Sequence, residues 1–203
     1  MKGLFITFEG ADGCGKTTQL NLLTEYLRNK GLDVVTTLEP GGQYVCQKIR
    51  ELVLLYKGEV SPKCEAFLYL ASREQNVDFV VKPAVDAGKI VLCDRHIDST
   101  IAYQGYGRGI DIEQLKNQNN LATSNFKPDL TLVFDIDVET SQSRVGKEKD
   151  RLEAAGKEFH ERVRYGYLEI AKQEPERVKV IDAKDSIENI FEQVKGIVAN
   201  YGL

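Results

Sequence analysis

Gly10-Ala11-Asp12-Gly13-Cys14-Gly15-Lys16-Thr17, followed by Thr18, matches the pattern GxxxxGK[ST]. Directly before it runs LFITFE (4–9), a near-continuous apolar stretch of strand character. Directly after it, helical spacing begins at 17 and runs to 30, ending at Gly31. A strand, a glycine-rich turn and a helix in that order make a phosphate cradle. The glycines let the backbone curl so that its N–H groups point at phosphate oxygens. The helix N-terminus adds the positive end of its dipole. In such a cradle Lys16 reaches the β- and γ-phosphates and the Thr17 hydroxyl binds Mg²⁺. Residues 10–18 are therefore expected to hold a nucleoside triphosphate.

Outward from the cradle, four more strand candidates appear: DVVTTL (33–38), KIVLCD (89–94), LTLVFDI (130–136) and VKVID (178–182). Helical patterns lie between and after them at 44–56, 61–87, 111–124, 157–174 and 186–201, with Ser61-Pro62 reading as an N-cap and first helical position. This alternation predicts an α/β chain of the P-loop NTPase fold, a five-stranded parallel sheet flanked by helices on both faces. No repeat or linker divides the 203 residues, so a single domain over 1–203 is expected. The net charge of -4 gives no bulk attraction for nucleic acid or a membrane, so any anion site must concentrate its cations locally. Cys14, Cys46, Cys64 and Cys93 lack metal-site spacing, and no apolar run reaches bilayer length; a reduced, cytoplasmic protein is the expectation. Residues 141–164 stand apart, dense in both charges and poor in large apolar side chains. They read either as a solvated helix face or as a mobile flap carrying cations to the phosphates.

A P-loop does not say where the phosphate goes. In an open α/β sheet, ligands lie beyond the carboxyl ends of the strands, and three unusual segments fall there. Glu39-Pro40-Gly41-Gly42 follows the second strand, Asp94-Arg95-His96 the third, and Tyr103-Gln104-Gly105-Tyr106-Gly107-Arg108-Gly109 comes soon after. Singly, these read as a tight turn, a strand-end ion pair and a flexible connection. Together with FEGADGCGKTTQ, FLYLASREQ and PDLTLVFDID, in order and at these spacings, they resemble the thymidylate kinase family over nearly the whole chain.

The resemblance implies a nucleoside monophosphate kinase that uses ATP and Mg²⁺ to phosphorylate dTMP for dTTP synthesis, with an acceptor region at about 38–109. Its ATP site is Gly10, Ala11, Asp12, Gly13, Cys14, Gly15, Lys16, Thr17 and Thr18; its metal site is Thr17 with Asp94, through water. Arg95 matches the arginine that grips the acceptor phosphate. Tyr69 and Arg73, four apart on one helical face, match an aromatic that stacks on thymine and an arginine that contacts it. Family members usually carry phenylalanine at the Tyr69 position; tyrosine keeps the π-face. Ser99, Thr100 and Gln104 match positions near the base. Tyr103 matches a ring that crowds the ribose 2′ position, Asp12 an acid that contacts the 3′-OH, and Glu39 and Pro40 complete the acceptor site.

The acceptor is a phosphate with a second pKa near 6, so it is already a nucleophile, and catalysis reduces to positioning and charge cancellation. In the family the cations come from an arginine in the P-loop or from arginines in a flap, the LID. This P-loop has no arginine, so the catalytic set is Lys16, Arg95, Arg151 and Arg144, the last two on a LID at about 141–156, with Arg151 as the arginine finger. Leu38 stands where relatives commonly have arginine, and Gln43 where they have threonine, which leaves Lys48, Arg50 or another neighbour to compensate. Two alternatives stay open: a kinase for another nucleotide or nucleoside, with Glu39 as base, and a non-catalytic ATP-binding protein. The resemblance further implies a homodimer.

Overall fold

The structure is a computed structural model that describes residues 3–146 and 150–203. Lys147, Glu148 and Lys149, within the expected LID, lie outside the described residues, as do Met1 and Lys2.

Strands β1 (Leu4–Gly10), β2 (Val34–Leu38), β3 (Ile90–Asp94), β4 (Leu130–Asp135) and β5 (Val178–Asp182) form a parallel sheet of order β2-β3-β1-β4-β5. Each expected strand is found within a residue or so of its predicted ends. Their apolar runs follow from burial on both faces. On one face Ile6 and Phe8 pack with Leu23 and Leu27 of α1 (Lys16–Asn29) and with Val194 and Val198 of α9 (Ile187–Ala199). On the other, Val133 packs with Leu115 of α6 (Ile112–Thr123) and with Val163 and Tyr167 of α8 (Lys157–Gln173), while Phe5 meets Val91 and Val81.

Five further α-helices lie among the described residues. They are α2 (Tyr44–Arg50), α3 (Pro62–Asn76), α4 (Lys82–Asp86), α5 (Ile97–Thr100) and α7 (Val138–Arg144). Ser61 caps α3, its Oγ accepting from Cys64 N at 3.4 Å. The expected helix 61–87 widens into π-helical turns at Val77–Val81 before resuming as α4. Pro83 accounts for this: its ring clashes with the carbonyl four residues back, and a wider turn removes that conflict. Residues Ile101–Gly107 are also π-helical and largely buried, so the Gly/Tyr segment is no loose connection. A Cβ on Gly107 would stand 2.7 Å from Phe159 Cε2 of α8, and one on Gly105 would collide with Ile112 Cδ1. The glycines there allow close packing.

Strand β1 lies at the centre, with β3 on one side and β4 on the other. The P-loop therefore leaves the sheet where the chain connections diverge, the usual place for a crevice. No helix among the described residues is long and apolar enough to cross a membrane.

Candidate functional site

The P-loop bends through Gly10, Gly13 and Gly15 at φ values of 138°, 81° and 89°, which other residues rarely adopt. Helix α1 starts with no side-chain cap and no acid in its first turn, so its end is open to an anion. Lys16 Nζ lies 3.3 Å from Asp12 Oδ1 and 4.0 Å from Asp94 Oδ1. Thr17 donates to Asp94 Oδ2 at 2.8 Å. Asp94 Oδ1 is sealed from solvent and accepts no hydrogen bond among the described residues.

Arg95 crosses from this cradle to the acceptor side. It sits at φ 70°, disfavoured for a side chain of this kind, and two backbone bonds hold it there. Its own N–H donates to Phe8 O at 2.9 Å, and His96 N–H donates to Glu9 Oε1 at 2.7 Å. Its Nη2 donates to Asp12 Oδ1 at 2.6 Å. Its Nη1 lies 3.3 Å from both Ser99 Oγ and Tyr167 OH, and its guanidinium covers the Tyr103 ring at 4.9 Å. Burial alone would raise the Asp12 carboxyl, but Arg95 and Lys16 hold it well below the usual carboxylate range. Those two cations are what lets a carboxylate sit inside a phosphate loop.

Behind Arg95 is Glu9, fully buried, whose place in the apolar run of β1 gives no sequence signal beyond a strand. Ser99 Oγ donates to its Oε2 at 2.6 Å and Tyr167 OH at 2.8 Å. Each hydroxyl gives its proton to Glu9 and so turns lone pairs to Arg95. Burial, helped by the charge of Asp98, pushes the Glu9 carboxyl up to about 7.

A cavity opens beside Arg95. Asp12, Glu39, Pro40, Tyr69, Arg73, Arg95, Ser99, Thr100, Tyr103 and Gln104, the whole expected acceptor set, line it together. Arg50, Leu54, Asp150 and Leu152 complete the wall. Of the two cations suggested as compensating for Leu38, Arg50 is the one present, donating to Pro40 O at 3.0 Å; Lys48 pairs with Glu51 instead. Leu38 packs against the turn at Gly41.

Arg73 is 1% exposed. Its Nε donates to Glu39 Oε2 (2.8 Å), its Nη1 to Thr100 (2.6 Å) and Asn119 (2.7 Å), and its Nη2 to His96 O (2.8 Å). One Nη2 proton is left over. Glu39 also meets Asn76 Nδ2 at 3.1 Å and His96 Nδ1 at 2.9 Å. Burial opposes its charge, yet His96 and Arg73 bring its carboxyl down to about 2. Such a carboxylate is a poor general base for a neutral hydroxyl. Tyr69 is half-buried; burial and then Glu65 push its phenol well up, so it stays neutral.

The LID arginines part company. Arg144, in the last turn of α7, stands over the P-loop: its Cβ is 3.3 Å from where a Gly13 Cβ would be. Arg151, expected at the transferred phosphoryl, is instead drawn to the base end of the cavity. There its Nη2 lies 2.6 Å from Glu65 Oε2 and its Nε donates to Val53 O at 3.0 Å. The reason is charge: Glu65 is a fully buried carboxylate, and such a group must be paired. The sequence signal for Glu65 is its spacing: Glu65, Tyr69 and Arg73 follow one another four apart on α3.

A family model described as "Thymidylate kinase" matches residues 8–194. A thymidylate kinase of Exiguobacterium sp. is 49% identical over 197 residues, covering 96% of this chain and 93% of the relative. One of Pelotomaculum thermopropionicum is 53% identical over 188 residues, covering 90% and 87%. The crystal structure of a thymidylate kinase from Ehrlichia chaffeensis matches with a TM-score of 0.82 at 37% identity, over 98% of this chain and 99% of that one.

Proposed function

The chain belongs to the thymidylate kinase family, and we propose how its own residues perform that family's reaction. The reaction transfers the γ-phosphoryl group of ATP to dTMP, giving dTDP and ADP, a step of nucleotide biosynthesis. The acceptor oxygen arrives ionised, so no residue has to remove a proton from it. What the site must overcome is repulsion between two polyanions.

Arg95 takes the acceptor phosphate and Lys16 the β- and γ-phosphates of ATP. Both now lie against Asp12, and that carboxylate turns to the 3′-OH of the acceptor when phosphates replace it. Tyr69 stacks on the thymine, with Arg73 offering its spare N–H. Tyr103 fills the space a ribose 2′-OH would need. Thr17 and Asp94 would hold Mg²⁺, whose charge offsets that of the phosphates; a hydroxyl touching a carboxylate with one unpartnered oxygen fits such a cation. Arg144 and Arg151 add positive charge from the LID. We further propose that the protein works as a cytoplasmic homodimer on these small ligands, with no nucleic acid involved.

One observation carries the reading: ten side chains from four separate stretches of sequence meet around one cavity beside the P-loop. The bonds that bring Glu39 down to about 2 support a phosphate acceptor over a nucleoside hydroxyl. The test is ADP formation from Mg-ATP, alone and with dTMP, dUMP, dCMP, dGMP, AMP or thymidine. Strong stimulation by dTMP, weak by dUMP and none by thymidine is expected. Preference for thymidine or for another monophosphate would overturn the acceptor assignment, and no stimulation at all would make this an ATP-binding protein.

A further inference from the structure

We propose that Glu65 is the positioning residue that sets which way round the Gln104 amide faces the acceptor base, and that it thereby makes the cavity select a pyrimidine carrying an N3–H. This rests on the dTMP reading above. Glu65 has no exposed surface, and three side chains converge on it. Its Oε1 accepts from Gln104 Nε2 at 2.8 Å and Arg108 Nε at 3.3 Å. Its Oε2 accepts from Arg108 Nη2 at 3.1 Å and faces Arg151 Nη2 at 2.6 Å.

A carboxylate between two guanidinium groups offers only acceptors, whereas an amide has a donor end and an acceptor end. Only the NH₂ end of Gln104 can meet Glu65, so the orientation follows from chemistry and not from the naming of two similar atoms. The carbonyl Oε1 is then the end left for the cavity that Gln104 lines, and it accepts no hydrogen bond among the described residues. Thymine and uracil carry a proton on N3 and can donate to it. Cytosine carries a lone pair there, and two acceptors face to face leave both unpaired. A buried mismatch of this kind is worth about tenfold to a hundredfold in discrimination.

The variant Glu65→Gln keeps the shape but offers a donor as well as an acceptor, so the Gln104 amide is free to reverse. We expect the dCMP-to-dTMP ratio of kcat/KM to rise by about tenfold to a hundredfold, with KM for dTMP rising more than kcat falls. The exchange Glu65→Gln with Gln104→Glu keeps the net charge and returns an acceptor to the wall, so the ratio should move back toward wild type. Equal losses on both acceptors, with the ratio unchanged, would overturn the proposal and leave Glu65 a structural ion-pair partner. Should Glu65→Gln fail to fold, the wild-type protein still decides. The side-chain amide of Gln104, followed by ¹⁵N NMR, must rotate and exchange slowly; free rotation would overturn the proposal equally. Failure of the dTMP reading shows itself separately, as a wild-type enzyme that dTMP does not stimulate.

Discussion

At Glu9 a carboxylate is enclosed by four donors, and its position explains Arg95. The arginine that meets the acceptor phosphate is aimed by two hydroxyls, Ser99 and Tyr167, and both are aimed by Glu9. The same burial makes Glu9 a pH-dependent element of stability. Its folded pKa of about 7 lies above the ordinary 4.5, so the fold favours the protonated form. The stability it contributes is fully present below pH 4.5 and is lost as pH rises through 7, by about 3 kcal/mol in all. Glu39, lowered to about 2, acts in the opposite sense: its contribution is present above 4.5 and fades as pH falls through 2, outside that window. Urea unfolding of wild type and Glu9→Gln between pH 4.5 and 7 checks this. The wild type should lose stability relative to the variant across the window, and parallel curves would refute it. Arg95 and Glu39 stand out in the sequence at strand ends, where an α/β sheet binds its ligands, and the family resemblance implied their roles and that of Arg73. Glu9 does not stand out, because a lone acid inside an apolar strand acquires its partners from segments 87 or more residues away.

The elements came through well where local rules govern and poorly where packing does. Strand ends and the Ser61 cap match because burial on two faces and capping are written in nearby residues. Residues 101–107 were open to reading as a loose connection because two glycines lower helix propensity. Contact of Gly107 with Phe159 and of Gly105 with Ile112 outweighs that penalty. The LID shows the same limit. Its charge density left a solvated helix face and a flap both open, and the family resemblance implied the flap; which arginine lies where depends on Gly13 allowing α7 to approach and on Glu65 attracting Arg151. For the proposed finger role Arg151 must leave Glu65. On that role Arg151→Ala lowers kcat at least tenfold with a smaller change in KM for dTMP, a split that steady-state kinetics resolves. A change confined to KM would assign Arg151 to the Glu65 contact alone.

For the whole molecule, surface apolarity supports the proposed homodimer. Phe67 on α3 and Leu121 on α6, two helices packed together, are 55% and 84% exposed. Light scattering at micromolar concentration should give the mass of two chains; one-chain mass would refute it. Strand–helix alternation called for a parallel sheet, and the order β2-β3-β1-β4-β5 places the P-loop at its centre, where the connections part. By itself the sequence determined the fold class and the strand–glycine turn–helix of the phosphate cradle, because each rests on periodicity or on a short motif whose chemistry is local, while the acceptor residues were named only through the family resemblance. Only the tertiary structure decided which charges pair. Asp12 with Arg95, Glu39 with Arg73, Glu65 with Arg108 and Arg151, and Glu9 with its hydroxyls are bonds between distant segments. Buried charge must find a partner, and the chain's path through space alone determines which one is within reach.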